Sequence, residues 1–404
     1  MKFKQLYYAS VLVLSMLGSV IACSPTKFTP TVNGATGCTA GCTVSPDGHS
    51  QTWTQNYQIG AGKVDILFID DNSASMASIQ TKLAARFGGF VEALDAAQID
   101  YKIAIATTDA TKLAAAPLIA MGNGTNFITS ADSNRVQLFN AGIVRTETVA
   151  CEKFIQSAYA TYGPSFQTTS YYNSNYSQYC PSGDTRGILA ANYVVTNNSS
   201  LNFLRSDANL NIITLSNDDE RAGQYNNGNS SYALTTEDLP ATMSQLMSTS
   251  YPNKYWEFNS IITKDQNCAL QQEQAFTDSS GNPIKNSSGN YVITAEQGIQ
   301  YAALSASASK DVDGNAQPRG KILDICQSDY TQNFKDIAAN IADSARLLTL
   351  NCAPASAPVV VDTANPSTQV PYTWTQGSSQ ITFQKGSEKL PITVTYTCYK
   401  NSVQ

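Results

Sequence analysis

Histidine is almost absent from this chain: His49 is the single one among 404 residues, and it lies in SPDGHS, a Pro/Gly/Ser stretch ahead of the first folded run. A Ser-His-Asp or Cys-His nucleophile needs an imidazole held beside it as base, so hydrolases of those kinds are not expected. Paired C-x-x-C spacing is missing too, which leaves a thiolate zinc site without its usual ligands. Charge is sparse. Only 14% of residues are charged and the net charge is −6, so the chain has no basic footprint for nucleic acid. Its long apolar stretch, centred on VLVLSML, follows Lys2 and Lys4 and ends in small residues. That pattern reads as a secretion signal over residues 1–22, not as a membrane span.

Cysteine, by contrast, is plentiful, with nine in all. The junction Val20-Ile21-Ala22-Cys23 resembles a bacterial lipobox. The resemblance implies that Cys23 is the lipidated first residue of the mature protein and that the membrane is met through this anchor only. Ser24 after it, rather than Asp, implies the outer membrane of a Gram-negative cell. The other cysteines are Cys38, Cys42, Cys151, Cys180, Cys268, Cys326, Cys352 and Cys398. An even number in an exported chain reads as disulfides, and sequence order suggests 38–42, 151–180, 268–326 and 352–398. Residues 23–60 are rich in Thr, Pro, Gly and Ser and read as a lipid-anchored tether.

The stretch that organises the rest runs from Val64 to Leu94. Val64, Ile66, Leu67, Phe68 and Ile69 form the near-continuous apolar run of a strand buried on both faces of a mostly parallel sheet. Ile79, Leu83, Phe87, Phe90, Val91 and Leu94 recur at spacings of three and four, one apolar stripe along a helix. Between them lies Asp71-Asn72-Ser73-Ala74-Ser75. Asp71, Ser73 and Ser75 are hard oxygen donors at alternate positions of a tight turn, and such donors suit a small divalent cation. In open α/β sheets this edge, beyond the carboxyl ends of the strands, is where ligands bind.

The D-x-S-x-S pattern in this setting resembles the metal-ion-dependent adhesion site of von Willebrand factor A domains, the fold of integrin I domains and many bacterial adhesins. The resemblance implies a doubly wound α/β fold over residues 61–350. It implies an Mg²⁺ or Mn²⁺ ion held at Asp71, Ser73 and Ser75, and a threonine from a second loop. Thr146 in VRTET is the first choice; Thr185 in SGDTRGILAANYVV is its rival. A third contribution is implied where the strand Leu210–Leu215 runs into Asn217, Asp218, Asp219 and Glu220. Asn217 stands where the family has an aspartate, so its amide oxygen ligates or Asp218 steps in through a water.

Further strands are expected over 99–109, 255–263 and 321–326, with an antiparallel edge strand over 116–122. Helices are expected over 150–162, from about Asp238, over 295–307 and over 328–348. Insertions fall at about 163–184, 221–234 and 274–294; the last repeats an SSGN turn and reads as a protruding hairpin. Asp311-Val312-Asp313-Gly314-Asn315 resembles half a calcium loop, but Ile322 stands where the bidentate glutamate belongs, which leaves a tight turn. Residues 351–404 read as a small all-β module clasped by Cys352 and Cys398.

These readings describe no enzyme: the oxygen cluster consists mainly of hydroxyls, whereas hydrolytic metal sites use His or several carboxylates. They describe an envelope adhesion or ligand-binding lipoprotein whose cation accepts a carboxylate from a partner protein or acidic glycan, including one on another cell surface. The alternative is an envelope scaffold or assembly module with a degenerate metal site.

Overall fold

The structure is a computed structural model that describes residues 41–60, 62–221, 233–387 and 389–399. The signal segment 1–22, Cys23, Cys38 and most of the 221–234 insertion lie outside the described residues. The 38–42 pairing therefore falls outside them as well.

Two strands, β1 (Cys42–Val44) and β2 (Ser50–Gln58), open the described chain. Then come β3 (Lys63–Asp70), β4 (Asp100–Thr107), β5 (Ile128–Thr129), β6 (Asn209–Ser216) and β7 (Trp256–Ile262). After a separate hairpin of β8 (Ala308–Lys310) and β9 (Ala316–Pro318), β10 (Ile322–Asp324) completes a six-stranded sheet of order β10-β7-β6-β3-β4-β5. All neighbours in it are parallel except the short edge strand β5. The strand period of two sends Val64, Ile66 and Phe68 of β3 to one face and Leu67 and Ile69 to the other. On the first face they meet the helices Ala77–Ala96, Arg135–Ile143 and Thr331–Ser344. On the second they meet Gly187–Thr196, Pro240–Ser250 and Ile299–Ala306. The fold is doubly wound α/β, as its apolar runs and stripes predict.

Phe68 anchors the first core. Its ring lies 4.8 Å from Phe139, 6.2 Å from both Phe87 and Phe90, and 6.5 Å from Phe334, all edge-on, so one strand residue ties together three helices.

The second, all-β unit departs from expectation. It contains β11 (Leu347–Thr349), β12 (Val359–Asp362), β13 (Tyr372–Trp374), β14 (Gln380–Phe383) and β15 (Pro391–Tyr399). These form two sheets, β1-β2-β15-β12 and β11-β14-β13. Its central strand β2 comes from the segment read as tether, and it pairs with β15 from Ser50↔Tyr399 to Gln58↔Pro391. The physical reason is that SQTWTQNYQ carries little apolar alternation. Its pairing with β15 is strengthened by cross-strand threonine contacts, Thr52 with Thr397 at 3.1 Å and Thr54 with Thr395 at 3.3 Å, while Trp53 alone is well buried. The segment from Cys42 onward is thus part of a folded unit. Arg346, 1% exposed, joins the two units: it donates to the Phe383 carbonyl and pairs with Asp313 and Asp343.

Residues 116–122 form no strand. Pro117 has no N–H to give a ladder, and the segment wraps the sheet edge, burying Leu118 in one core and Met121 in the other. The disulfides 151–180, 268–326 and 352–398 pair as sequence order suggests. Asp311–Asn315 is a tight turn: the Asp311 carboxylate accepts the N–H groups of Asp313 and Asn315, and Gly314 has φ +87°. The same turn recurs at Asp278–Asn282 and Asn286–Asn290, with Gly281 and Gly289 likewise at positive φ.

One buried acid lies in the sheet away from its ligand edge. Glu257, 4% exposed, accepts the Asn211 amide at 2.9 Å and the Tyr255 hydroxyl at 3.0 Å. Burial raises its pKa above the ordinary range, so the folded state holds its proton more tightly than the unfolded one. That stability is present in full below the unfolded pKa and is lost as pH rises through the folded one. Glu257→Gln keeps the Asn211 contact through its oxygen, reverses the Tyr255 contact so that its amide donates to the hydroxyl, and removes the titration. Its melting temperature is expected to match the parent near pH 4 and to exceed it at pH 8; equal melts at both pH values would contradict this.

Candidate metal centre

β3 hands its chain to the sheet's ligand edge between β4 and β6, whose connections leave in opposite directions, the topological switch point of an open α/β sheet. Asp71 is fixed there by its own backbone, its N–H bonded to the Leu215 carbonyl at 2.9 Å. Its carboxylate accepts the Ser73 N–H at 2.9 Å and the Ser216 hydroxyl at 2.7 Å. The side chain therefore turns back over its own loop and ties it to the end of β6.

The hydroxyls of Ser73 and Ser75 lie 3.0 Å apart, and Ser75 donates to the Asn217 amide oxygen at 3.2 Å. Asp218 stands beside them, 4% exposed, and its Oδ1 has no hydrogen-bond partner. Ser73, Ser75 and Asp218 face one cleft of about 490 Å³. Burial, and then the charge of Asp71, holds the Asp218 carboxyl well above the usual carboxylate range. Burial also raises Asp71 against the bonds from Ser73 and Ser216, and raises Asp70, where the neighbouring Asp71 adds to it. Crowded buried carboxylates resist ionisation unless a cation joins them. The donor set fits such a cation: two hydroxyls, an amide oxygen and carboxylate oxygens are hard ligands of the kind Mg²⁺ and Mn²⁺ take.

The two threonines are not part of this cluster. Thr146 begins the Thr146–Tyr162 helix in an exposed position, within 3.4 Å of the adjacent Glu147 carboxylate. Thr185 is buried, bridged to Asp109, and its carbonyl accepts the Arg221 N–H. Neither lines the cleft, which takes Ser182 and Gly183 from that loop instead. The threonine that does reach the Asp71–Ser75 turn is Thr148, fully buried, whose hydroxyl donates to the Asn72 carbonyl at 2.7 Å. It sits on the inward side of the helix, two positions beyond Thr146, and only the helical phase gives it away.

Gln80 was also hidden in the sequence, a polar residue within the apolar stripe. It is buried and donates to Asp70 at 2.9 Å and to the Asp71 carbonyl at 3.0 Å, while its own oxygen accepts the Arg145 N–H at 3.1 Å. It thereby clamps the turn to the second loop. Elsewhere among the described residues, Cys268, Asp324 and Cys326 cluster at metal-binding range, but the two sulfurs are joined to each other.

No family model matches the chain, and no curated protein is significantly similar to it. Solved structures do match at low identity. The pilus adhesin SpaC from Lactobacillus rhamnosus GG, in its open conformation, is 11% identical, with 86% of this chain and 41% of that chain covered and a TM-score of 0.32. A von Willebrand factor type A protein from Catenulispora acidiphila is 11% identical, with 88% and 61% covered and a TM-score of 0.32. The human COPII-coat protein Sec24c is 6% identical, with 87% and 42% covered and a TM-score of 0.26. The chain thus spans less than two thirds of the length of each. At such scores the fold assignment rests on the sheet order and crossovers above, not on these likenesses.

Proposed function

We propose that this protein is a metal-dependent adhesion or ligand-binding module that works by binding and not by catalysis. Mg²⁺ or Mn²⁺ is held by Ser73, Ser75 and Asp218, with Asp71 and Asn217 supporting, and its remaining coordination accepts a carboxylate from a partner protein or acidic glycan. Lipidation at Cys23 anchors the module to the envelope, at the outer membrane of a Gram-negative cell. The observation that carries the reading is the unpartnered Asp218 Oδ1, buried beside two hydroxyls at the floor of one cleft. A buried acceptor left unpaired costs free energy that a cation recovers.

The test is a thermal melt with Mg²⁺ against EDTA. A ligand that binds only the folded state, present at about a hundred times its Kd, adds roughly 2.7 kcal/mol, which for a chain of this size is a rise of several degrees. Equal melts in Mg²⁺, Mn²⁺ and EDTA would remove the cation from the reading. They would favour the second one, an envelope scaffold or assembly module. Asn217 motivates that alternative: an amide stands where a carboxylate would neutralise the ion, and its oxygen already satisfies Ser75.

A further inference from the structure

The floor of the metal cleft comes from the sheet edge, but its walls come from two insertions. One wall is the Ser170–Tyr179 helix, which turns Tyr172 and Tyr176, one helical turn apart, toward the cleft above Ile155. The disulfide between Cys151 and Cys180 ties the end of this helix to the Thr146–Tyr162 helix, and Tyr172 lies flat against Phe154 with ring centres 5.4 Å apart. The opposite wall is the end of a tandem hairpin, TDSSGNPI followed by KNSSGNYV. There the Ile284 N–H bonds to the Phe276 carbonyl at 3.0 Å and the Val292 N–H to the Ile284 carbonyl at 3.2 Å. Phe276 and Ile284 sink into the same small core as Phe154 and Ile155, with Val292 and Ile293 packed against it. Both walls are thus held before any ligand arrives.

We propose that this cleft takes an extended peptide segment of a partner protein. The segment presents an acidic side chain to the floor and, one or two residues away, an aliphatic or aromatic side chain to Ile155, Val292 and Ile293. The assignment rests on the cation reading above and deepens it by naming the occupant. Burial argues against a flat protein surface: Asp218, 4% exposed, lines a half-open cleft of about 490 Å³, so a partner meets it with a projecting side chain. The aliphatic part of the wall, Val292 and Ile293 over the buried Ile155, favours a segment with an apolar side chain, which gains by leaving water there, while Gln167, Asn173 and Ser182 elsewhere on the lining offer polar partners to a peptide backbone. The two tyrosines are rigid, amphipathic contacts that cost little entropy to use.

The test begins with random heptapeptides displayed on phage and selected on the full chain in Mg²⁺. The enriched sequences are then made as N-acetylated, C-amidated peptides. The expected set carries Asp or Glu within two positions of Leu, Ile, Val or Phe. Replacing that apolar residue by Gly weakens binding about tenfold, the acid-to-amide change abolishes it, and EDTA abolishes it. The double substitution Val292→Ser and Ile293→Ser produces the same tenfold loss while leaving the Mg²⁺-induced rise in melting temperature in place. Because the Gly peptides alter nothing in the protein, a wall variant that fails to fold leaves the test intact. Enrichment of acids with no apolar neighbour overturns the cleft assignment and spares the cation. So does a failure to enrich any peptide, or Mg²⁺-dependent binding of polygalacturonate in their place. Peptide binding indifferent to EDTA overturns the cation reading itself.

Discussion

Asp71→Asn is expected to erase the Mg²⁺-induced stabilisation while leaving the metal-free protein folded and at least as stable as the parent. The asparagine oxygen still accepts the Ser73 N–H, and its amide faces the Ser216 hydroxyl that now bonds the carboxylate at 2.7 Å. What is lost is one negative charge. In the metal-free state that charge is a burden, because burial raises the Asp71 pKa and its presence helps raise those of Asp70 and Asp218. In the proposed metal-bound state it would be part of what holds the ion. Cation affinity measured by calorimetry should fall by about a hundredfold, on the order of 2.7 kcal/mol. An unchanged Mg²⁺ affinity would place the ion elsewhere, and a variant that no longer folds would mean that Asp71 serves the turn alone.

Phe68→Ala should produce the largest loss of stability. The ring is fully buried and has four other phenylalanines around it, drawn from three helices that pack on one face of the sheet. Removing a buried Phe side chain costs about 3–5 kcal/mol, the spread depending on how far the site collapses. Domains of ordinary stability hold roughly 5–15 kcal/mol, so about a fifth or more of the total is at stake. Urea unfolding under non-oxidising and non-reducing conditions, with the disulfides intact, should show the midpoint fall at constant slope. A loss under about 1 kcal/mol would mean that the helices hold to the sheet without this ring.

How far the sequence discloses this structure depends on which force dominates locally. Where burial on both faces decides, as at Val64–Ile69 and Leu210–Leu215, the apolar run alone places the strand, its orientation and the oxygen-bearing turn at its end. Cysteine order suffices for the three pairs among the described residues because each joins elements adjacent in the fold. Where backbone ladders and threonine contacts decide, as in β2, no apolar period exists to be read. Pro117 and the two-sided burial of Leu118 and Met121 make a sheet-edge wrap look like an edge strand. The threonine that reaches the Asp71–Ser75 turn is hidden for a third reason. Thr146 begins a helix and Thr185 stands just ahead of one, and only the angular position around a helix shows that Thr148 points inward. The cleft is least legible of all, since its walls arise from insertions about 90 or more residues apart that meet only in the folded chain.

The pairing of β2 with β15 sets a timetable for biosynthesis. Gln58 leaves the ribosome long before its partner Pro391 exists, and at about 5–20 residues per second the interval is on the order of tens of seconds. The doubly wound sheet can assemble during that wait, because all of its strands lie between these two partners. The β unit cannot. Until translation nears completion, Trp53 and an unpaired strand edge stay available to neighbouring nascent chains. Removal of the β15 residues should therefore be felt at the opposite end of the polypeptide, as aggregation seeded by residues 50–58.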